Sequence, residues 1–379
     1  MQHSRPSPQS SGPVGRVSGK SARSGSGNGS KAAAITPPSK QRGLYPYTAR
    51  DRRSYAAIDL GTNNCRLLIA KPSADGFIVV DAFSRIVRLG EGLAATGRIS
   101  DAAIDRAIAA LSVCADKLRR RHVSLSRAVA TEACRRASNG EELAERVRRE
   151  TGIVLDIISA AEEARLAVLG CHNLMEPGEG PALIFDIGGG STELMHVDVS
   201  DHDVKIHDWI SVPWGVVSLT EHAPLPDDSL AGRQAAYAHM REVTREAFAA
   251  FAGRAERFAG QKLRLLGTSG TVTTLASVFL DLPRYDRRAV DGLVVPSDAM
   301  RDISRRLADA SIADRAEIAC IGRERADLVV AGCAILESII DLWPAVRVGV
   351  ADRGIREGIL RTLAMQGRDI PVTRREYRK

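Results

Sequence analysis

From Tyr55 onwards, short apolar runs of strand length alternate with longer segments in which apolar residues recur at helical spacing. In the first half, this pattern predicts strands over 55–60, 65–70, 77–83, 127–131 and 153–158, and helices over 101–120, 138–150 and 159–171. In the second half, it predicts strands over 182–187, 192–198, 204–212 and 263–267, and helices over 226–253, 323–341 and 354–365. Strands that alternate with helices in this way predict an α/β fold with mixed sheets.

One motif occurs twice, once in each half of the chain. Asp59 ends the first apolar run of its half, and Asp186 does the same 127 residues later. Gly61 and Gly188 follow these acids, and a second apolar run then resumes, which predicts strand, tight turn, strand. Glycines allow backbone N–H groups to surround an anion because no Cβ stands in the way. The repeat therefore predicts a duplicated unit whose turns face each other across a cleft that binds a polyanionic phosphate.

The two turns also contain candidate metal and phosphate ligands. Asp59 and Asp186 are suited to holding Mg²⁺ or orienting a water, although an Asp is also a common turn former. Glu193 would be a second metal or water ligand if it lay inside the cleft, and an ordinary surface acid otherwise. The phosphate-binding set predicted at the two turns is Asp59, Gly61, Thr62, Gly188, Gly189, Gly190, Ser191 and Thr192.

A third glycine turn lies within 265–275. An apolar strand enters Gly267, and a helix leaves from about Gly270 or Thr271. The free N–H groups at a helix N-terminus favour an anion, so Gly267, Ser269, Gly270 and Thr271 are further phosphate candidates. The alternative is a helix start of small residues packed tightly against the sheet.

Two segments between the main motifs carry charged candidates. In 130–136 a strand turns into a helix, so that Arg135 or Arg136 could bind a phosphate bidentately. In 159–165, Glu162 and Glu163 lie in the first turn of a helix. Acids there are stabilised by the helix dipole, but a carboxylate directed into the cleft would also serve as a general base on water. Spacing alone does not decide between the two roles.

The length of the chain and the distribution of its charges predict how many domains and tails it has. At 379 residues the chain is expected to form two domains, 54–176 and 177–366, with the last helix able to pack back on the first domain, followed by a tail over 367–379. Residues 1–53 hold ten basic residues and one acid and are predicted to be a disordered basic tail. That tail is either an arm that touches RNA or polyphosphate, or a solvated segment without a role.

The remaining composition argues for a cytoplasmic protein. The net charge is +7 overall but −2 after residue 53, so no specific nucleic-acid partner is expected. The sequence contains no apolar stretch long enough to span a membrane, and its six cysteines include no C-x-x-C pair. A homodimer is one oligomeric state that the sequence allows.

In combination and order, the motifs resemble the exopolyphosphatase / guanosine pentaphosphate phosphohydrolase (Ppx/GppA) family of the actin-like ATPase superfamily, over about 54–366. The matching segments are 57–63, 159–166, 185–194, 267–271 and 352–358. The resemblance implies two ribonuclease-H-like domains that flank a cleft, with Mg²⁺-dependent hydrolysis of a terminal phosphoanhydride. Inorganic polyphosphate and guanosine pentaphosphate are both implied as substrates, and the sequence does not choose between them.

The resemblance also assigns roles. The family's catalytic base falls on Glu163, and its Mg²⁺ and water-positioning acids fall on Asp186 and Glu193. Its phosphate contacts fall on Asn63, Arg135, Gly189, Gly190 and Ser191. Many members continue into a helical C-terminal portion that helps to hold long polyphosphate, so a two-domain chain is expected to be less processive, or to prefer shorter chains or the guanosine substrate. Two alternatives stay open: an actin-like kinase or chaperone ATPase, and a non-catalytic regulator that binds polyphosphate or nucleotide.

Overall fold

The two repeated motifs each open a mixed β-sheet. The computed structural model describes residues 53–73, 76–178, 180–199, 204–254 and 262–366. The predicted tails over 1–53 and 367–379 lie outside these ranges, except for Arg53. None of the helices in the described ranges combines the length and the apolar character that crossing a bilayer would require.

The first sheet is built around the first motif. Its strands are β1 (Tyr55–Leu60), β2 (Asn64–Ser73), β3 (Gly76–Ile86), β4 (Leu125–Ala130) and β5 (Leu155–Ile157). Within the described residues they lie in the order β3-β2-β1-β4-β5. The pairs β1–β2 and β2–β3 are antiparallel, whereas β1–β4 and β4–β5 are parallel. The carboxyl ends of the parallel strands meet at one edge, so segments distant in sequence converge beside Asp59.

The second sheet repeats this arrangement. Its strands are β6 (Ala182–Ile187), β7 (Thr192–Val199), β8 (Val204–Val212), β9 (Arg264–Thr268), β10 (Val294–Pro296) and β11 (Arg347–Ala351). The described strands lie in the order β10-β11-β9-β6-β7-β8. With β10 set aside, this is the order and direction of the first sheet. The predicted α/β class with two mixed sheets is confirmed.

Helices connect the strands of both sheets. They are α1 (Leu93–Thr96), α2 (Asp101–Arg120), α3 (Glu132–Arg136), α4 (Gly140–Thr151), α5 (Ala160–Cys171), α6 (Val216–His222), α7 (Leu230–Arg254), α8 (Gly270–Phe279), α9 (Arg287–Val290), α10 (Ser297–Asp309), α11 (Ile312–Glu317), α12 (Val329–Leu342) and α13 (Ile355–Gln366). The bounds predicted for α2 are confirmed, and its N-cap Ser100 accepts a hydrogen bond from the Ala103 N–H. Good capping explains why this helix could be placed from sequence.

The helix predicted over 323–341 is wrong at its start. α12 begins at Val329, and residues 323–328 form turns. These turn residues are held by contacts outside any helix: Arg88 Nη2 donates to Asp327 Oδ2 at 3.2 Å. The prediction also missed α10, although Met300, Ile303 and Leu307 recur on its buried face at helical spacing.

The last described helix, α13, packs against the first sheet. Ile359, Leu360 and Leu363 share a buried cluster with Tyr55 and Ala57 of β1. α13 also crosses α5 closely: a Cβ added at Gly358 would lie 2.1 Å from the Leu166 carbonyl oxygen, so only glycine fits there. This contact fixes α5 relative to β11 and the loop that follows it. The proposed division of the chain at residue 176 stays a prediction.

Candidate active site

The two glycine turns have the same backbone geometry. The Gly61 N–H donates to the Asn64 carbonyl at 2.9 Å, and the Gly188 N–H donates to the Ser191 carbonyl at 2.9 Å. In the flanking hairpins Asp59 lies opposite Arg66, and Asp186 lies opposite Glu193. Each turn thus presents an acid from its first strand beside a charged residue from its second strand.

The turns are in contact with each other. A Cβ added at Gly190 would lie 2.7 Å from Thr62 Oγ1, and one at Gly189 would lie 2.9 Å from Thr62 Cβ. These separations are shorter than any normal van der Waals contact, so the two turns approach this closely only because the second one is made of glycines. The facing arrangement that the repeat predicted is therefore present.

A cleft with room of about 150 Å³ for solvent lies at this meeting point. It contains most of the residues that the sequence singled out. Those that line it are Asp59, Gly61, Thr62, Asn63, Glu163, Asp186, Gly188, Gly189, Gly190, Ser191, Glu193, Ser269, Gly270 and Thr271. The three glycine turns and the candidate base therefore converge on one cavity.

Four predicted residues do not line the cleft, and one of them, Arg136, pairs with Glu132 at 3.6 Å. Arg135 lies behind Glu163, to which its Nη1 donates at 3.0 Å. The Thr192 hydroxyl donates to the Trp214 carbonyl at 2.7 Å and is fully buried. A Cβ at Gly267 would lie 2.5 Å from the Phe185 ring, so this glycine serves the packing of β9 against β6. Phosphate contacts by these four residues stay predictions.

The structure separates the roles of the two adjacent glutamates. Ser159 caps α5 and accepts a hydrogen bond from the Glu162 N–H at 3.2 Å. The Glu162 side chain points outwards, where it accepts from Arg165 at 2.7 Å and from Arg127 at 2.9 Å. Hydrogen bonding from Arg165 lowers the pKa of Glu162 to about 2. Glu162 is therefore a structural acid.

Glu163 has the opposite environment. Its side chain is only 8% exposed and lies in the cleft. Burial raises the pKa of Glu163 well above its usual range, and the negative charge of Glu193 raises it further, against the effect of Arg135. A buried carboxylate with a raised pKa is the stronger proton acceptor when it is ionised, which suits a general base.

The acids of the second half repel one another. Glu193 Oε1 accepts from the Ser191 and Ser211 hydroxyls, each at 2.7 Å. Burial, and then the charge of Asp186, raises the pKa of Glu193 to about 7. Burial, and then the charge of Asp59, raises the pKa of Asp186 to about 6. Close negative charges with raised pKa values favour a cation between them.

Sequence reasoning missed most of the positive side of the cleft. Its basic lining residues are Arg66, Arg325, Arg353 and Arg356. Arg66 left a signal: it is the one charged residue in the apolar run 65–70, on the strand that leaves the first turn. Its charge opposes the burial that raises the pKa of Asp59. Although the chain after residue 53 has a net charge close to zero, the cleft thus holds positive and negative side chains close together.

The donor set of the cleft fits Mg²⁺. Among the described residues, no group of three or more His, Cys, Asp or Glu side chains is arranged to enclose a metal ion. Mg²⁺ does not need such a cage, since it is usually bound by one or two carboxylates together with phosphate oxygens and water. Asp186 and Glu193 would supply these carboxylates. The cofactor itself stays a prediction.

Comparisons with known proteins agree with this geometry. The Ppx/GppA phosphatase family matches residues 68–366. Exopolyphosphatase 2 of Mycobacterium tuberculosis is 32% identical over 294 residues, which cover 75% of this chain and 89% of that protein. A putative exopolyphosphatase of Haemophilus influenzae is 26% identical over 322 residues, covering 84% and 94% of the two chains.

Solved structures show the same fold. An exopolyphosphatase from Cytophaga hutchinsonii aligns with a TM-score of 0.74 and 25% identity, over 83% of this chain and 98% of that chain. A Ppx/GppA family member from Aquifex aeolicus aligns with a TM-score of 0.67 and 28% identity, over 83% and 98%. With its two facing turns, its actin-like fold and this coverage, the chain belongs to the Ppx/GppA phosphatase family.

Proposed function

We propose that this protein is an exopolyphosphatase, which releases terminal orthophosphate from inorganic polyphosphate with Glu163 as the general base. The chain is a hydrolase of phosphoanhydrides, as its membership of the Ppx/GppA phosphatase family indicates. One observation carries the finer proposal: a buried carboxylate, Glu163, lies in the same cleft as three glycine turns suited to phosphate. Two relatives whose names describe them as exopolyphosphatases support polyphosphate as the substrate.

The reaction is an in-line displacement at the terminal phosphorus. A water molecule loses a proton to Glu163 Oε while its oxygen bonds to phosphorus. The bond from that phosphorus to the bridging oxygen breaks, and the shortened chain keeps the bridging oxygen. Glu163 then returns the proton to solvent or product. Proton removal by a well-placed carboxylate contributes about 10²–10⁴ to such a rate.

The turns bind the charge that spreads over the transferred phosphoryl group. The Gly61 and Gly188 N–H groups close the turns, so the backbone N–H groups of 62–63 and 189–191 are the donors that we propose for its equatorial oxygens. The hydroxyl of Ser269 and the amide nitrogen of Asn63 add side-chain contacts. The Ser269 hydroxyl is buried and finds no partner within the described residues, as expected for a donor that awaits a ligand. When bound at Asp186 and Glu193, Mg²⁺ would neutralise phosphate charge.

The substrate test compares phosphate release from long-chain polyphosphate and from guanosine pentaphosphate, at matched concentration and with Mg²⁺. Faster release from polyphosphate is expected. A preference for guanosine pentaphosphate would identify the protein as a phosphohydrolase of that nucleotide, the alternative substrate of the same site. Turnover of ATP alone, or transfer of phosphate to a sugar, would instead favour a kinase or ATPase.

The test of the base uses two neighbouring glutamates. Glu163→Gln should lower kcat by about 10²–10⁴ and leave polyphosphate binding largely intact, because the amide cannot take a proton at neutral pH. Glu162→Gln is the matched control, since it changes the adjacent acid, which is paired with arginines outside the cleft. Steady-state phosphate release and equilibrium binding measure the two effects. Full activity of Glu163→Gln would show that the base has been misassigned.

A further inference from the structure

Glu132, the first residue of α3, is a buried acid in the cleft to which the reaction above gives no role. It is 8% exposed and lies where β4 ends. Acids in the first turn of a helix are often explained by the helix dipole, but α3 has only five residues, so that effect is small here. Burying a carboxylate is costly unless it is paired, so its partners should explain its position.

Those partners connect Glu132 to the proposed base. Glu132 Oε2 accepts from Arg135 Nη2 at 2.5 Å. Arg135 Nη1 in turn donates to Glu163 Oε2 at 3.0 Å and to the Ile158 carbonyl at 2.9 Å. The guanidinium group therefore bridges the two carboxylates in a chain Glu132–Arg135–Glu163.

The two ends of this bridge act on different nitrogens of the guanidinium group. Both contacts on the Glu163 side use Nη1, so that side holds one of the two terminal nitrogens. The contact from Glu132 is made to Nη2 and holds the second terminal nitrogen. A charge-assisted bond at a second nitrogen fixes the plane of an arginine much as a bidentate carboxylate does.

A direct contact between Glu132 and substrate is disfavoured by charge. Its Cγ lies against the second glycine turn, 3.1 Å from where a Cβ of Gly190 would be. An anionic carboxylate beside a phosphate site repels the substrate unless cations neutralise it. Arg135 does so at 2.5 Å, with Arg136 Nε at 3.6 Å from the other carboxylate oxygen. The role of Glu132 therefore passes through Arg135.

We propose that Glu132 is a positioning residue, which locks the Arg135 guanidinium and thereby holds the Glu163 carboxylate in its reactive orientation. This inference rests on the proposed function of Glu163. Loss of Glu132 should reduce kcat, because the base is less well oriented, and should change KM little, because no substrate contact is lost.

The first experiment measures kcat and KM for phosphate release from polyphosphate in Glu132→Ala and Glu132→Gln. We expect kcat to fall about tenfold in Glu132→Ala and less in Glu132→Gln, which keeps one oxygen acceptor, with KM within about twofold in both. Glu141→Gln, at the start of α4, removes an exposed first-turn acid and is the matched control. Unchanged kcat in Glu132→Ala, or a loss explained entirely by a smaller folded fraction, would overturn the proposal.

The second experiment places Glu132→Gln in a Glu163→Gln background. If Glu132 acts through the base, the double variant should be no slower than Glu163→Gln alone. Losses that multiply would mean that Glu132 acts independently of Glu163, and the proposal would fail.

A third readout does not depend on activity, so it separates this inference from the function on which it rests. Rotation of the Arg135 guanidinium about its Cζ–Nη bonds can be followed by NMR of the side-chain nitrogens. Slow rotation in the wild-type protein and faster rotation in Glu132→Ala would support the lock even if neither phosphate substrate were hydrolysed. Equal rotation in both would overturn it.

Discussion

The β1–β2 and β6–β7 hairpins are two copies of one backbone that differ in charge beside the turn: an acid–base pair in the first copy and two acids in the second. Both close their turns with a 2.9 Å hydrogen bond from glycine to the carbonyl three residues on. Both place an aspartate at the same point before the turn. The residue opposite that aspartate is Arg66 in the first copy and Glu193 in the second. The difference between arginine and glutamate at this one equivalent position therefore determines the charge beside each turn.

This difference gives the two copies different electrostatic environments. The first copy compensates its aspartate with a cation, since Arg66 lowers the pKa that burial raises in Asp59. The second copy adds a negative charge, since Asp186 helps to raise the pKa of Glu193 to about 7. We infer that the charged side chains of the first hairpin are suited to phosphate and those of the second to a cation and water. Both requirements of phosphoryl transfer are then met across one cleft.

The largest expected effect comes from the second copy. Glu193→Gln should lower kcat about a hundredfold or more, because it removes charge from the proposed Mg²⁺ site. The same change should raise the thermal midpoint at pH 8 without Mg²⁺, because it relieves repulsion with Asp186. Phosphate release and thermal unfolding measure the two. A variant that is both active and less stable would contradict the assignment of this turn.

The equivalent change in the first copy should have a smaller effect on rate and the opposite effect on stability. Arg66→Gln should lower kcat/KM about tenfold through loss of a charged contact to phosphate. It should also lower the thermal midpoint at pH 8, because Asp59 and Asp186 both lose a compensating cation. Arg85→Gln, on the exposed strand β3, is the control. If Arg66→Gln and Glu193→Gln shift stability in the same direction, the contrast between the two turns is wrong.

The sequence was sufficient for the part of the site that local chemistry determines. Asp59 and Asp186 were placed because an apolar run ends at each and a glycine turn follows. Strands β1, β6 and β8 were predicted with the bounds that the structure gives them. Each of these features depends on a short segment, where hydrophobic period and turn residues are sufficient.

The site features that could not be predicted from the sequence depend on the register of strand pairing and on the rotation of a helix about its axis. Arg66 faces the cleft because of its pairing with Asp59 in the sheet, and a shift of one residue would turn it away. The choice between Glu162 and Glu163 depends on how α5 is rotated about its axis, which its packing against α13 fixes. The bridge through Arg135 joins residues 28 positions apart, which no local pattern encodes.

The smallest expected effect, a shift in stability with pH, tests the two copies together. The raised pKa values of Asp186 (about 6) and Glu193 (about 7) mean that the folded state binds these protons more tightly than the unfolded state. Their contribution to the free energy of unfolding is therefore complete below about pH 4 and is lost as pH rises through 7. Glu162 does not interfere in this range, because its pKa of about 2 affects stability only at lower pH.

Thermal unfolding between pH 5 and pH 8 with and without Mg²⁺ measures this shift. Without Mg²⁺, the thermal midpoint should fall as pH rises, by about 2 °C for each 1 kcal/mol lost. Mg²⁺ should restore more stability at pH 8 than at pH 5, because a cation replaces the lost protons. Glu193→Gln should flatten the pH dependence and weaken the response to Mg²⁺, whereas Arg66→Gln should steepen the pH dependence. A Mg²⁺ response that is equal at both pH values would mean that the cation binds away from these carboxylates.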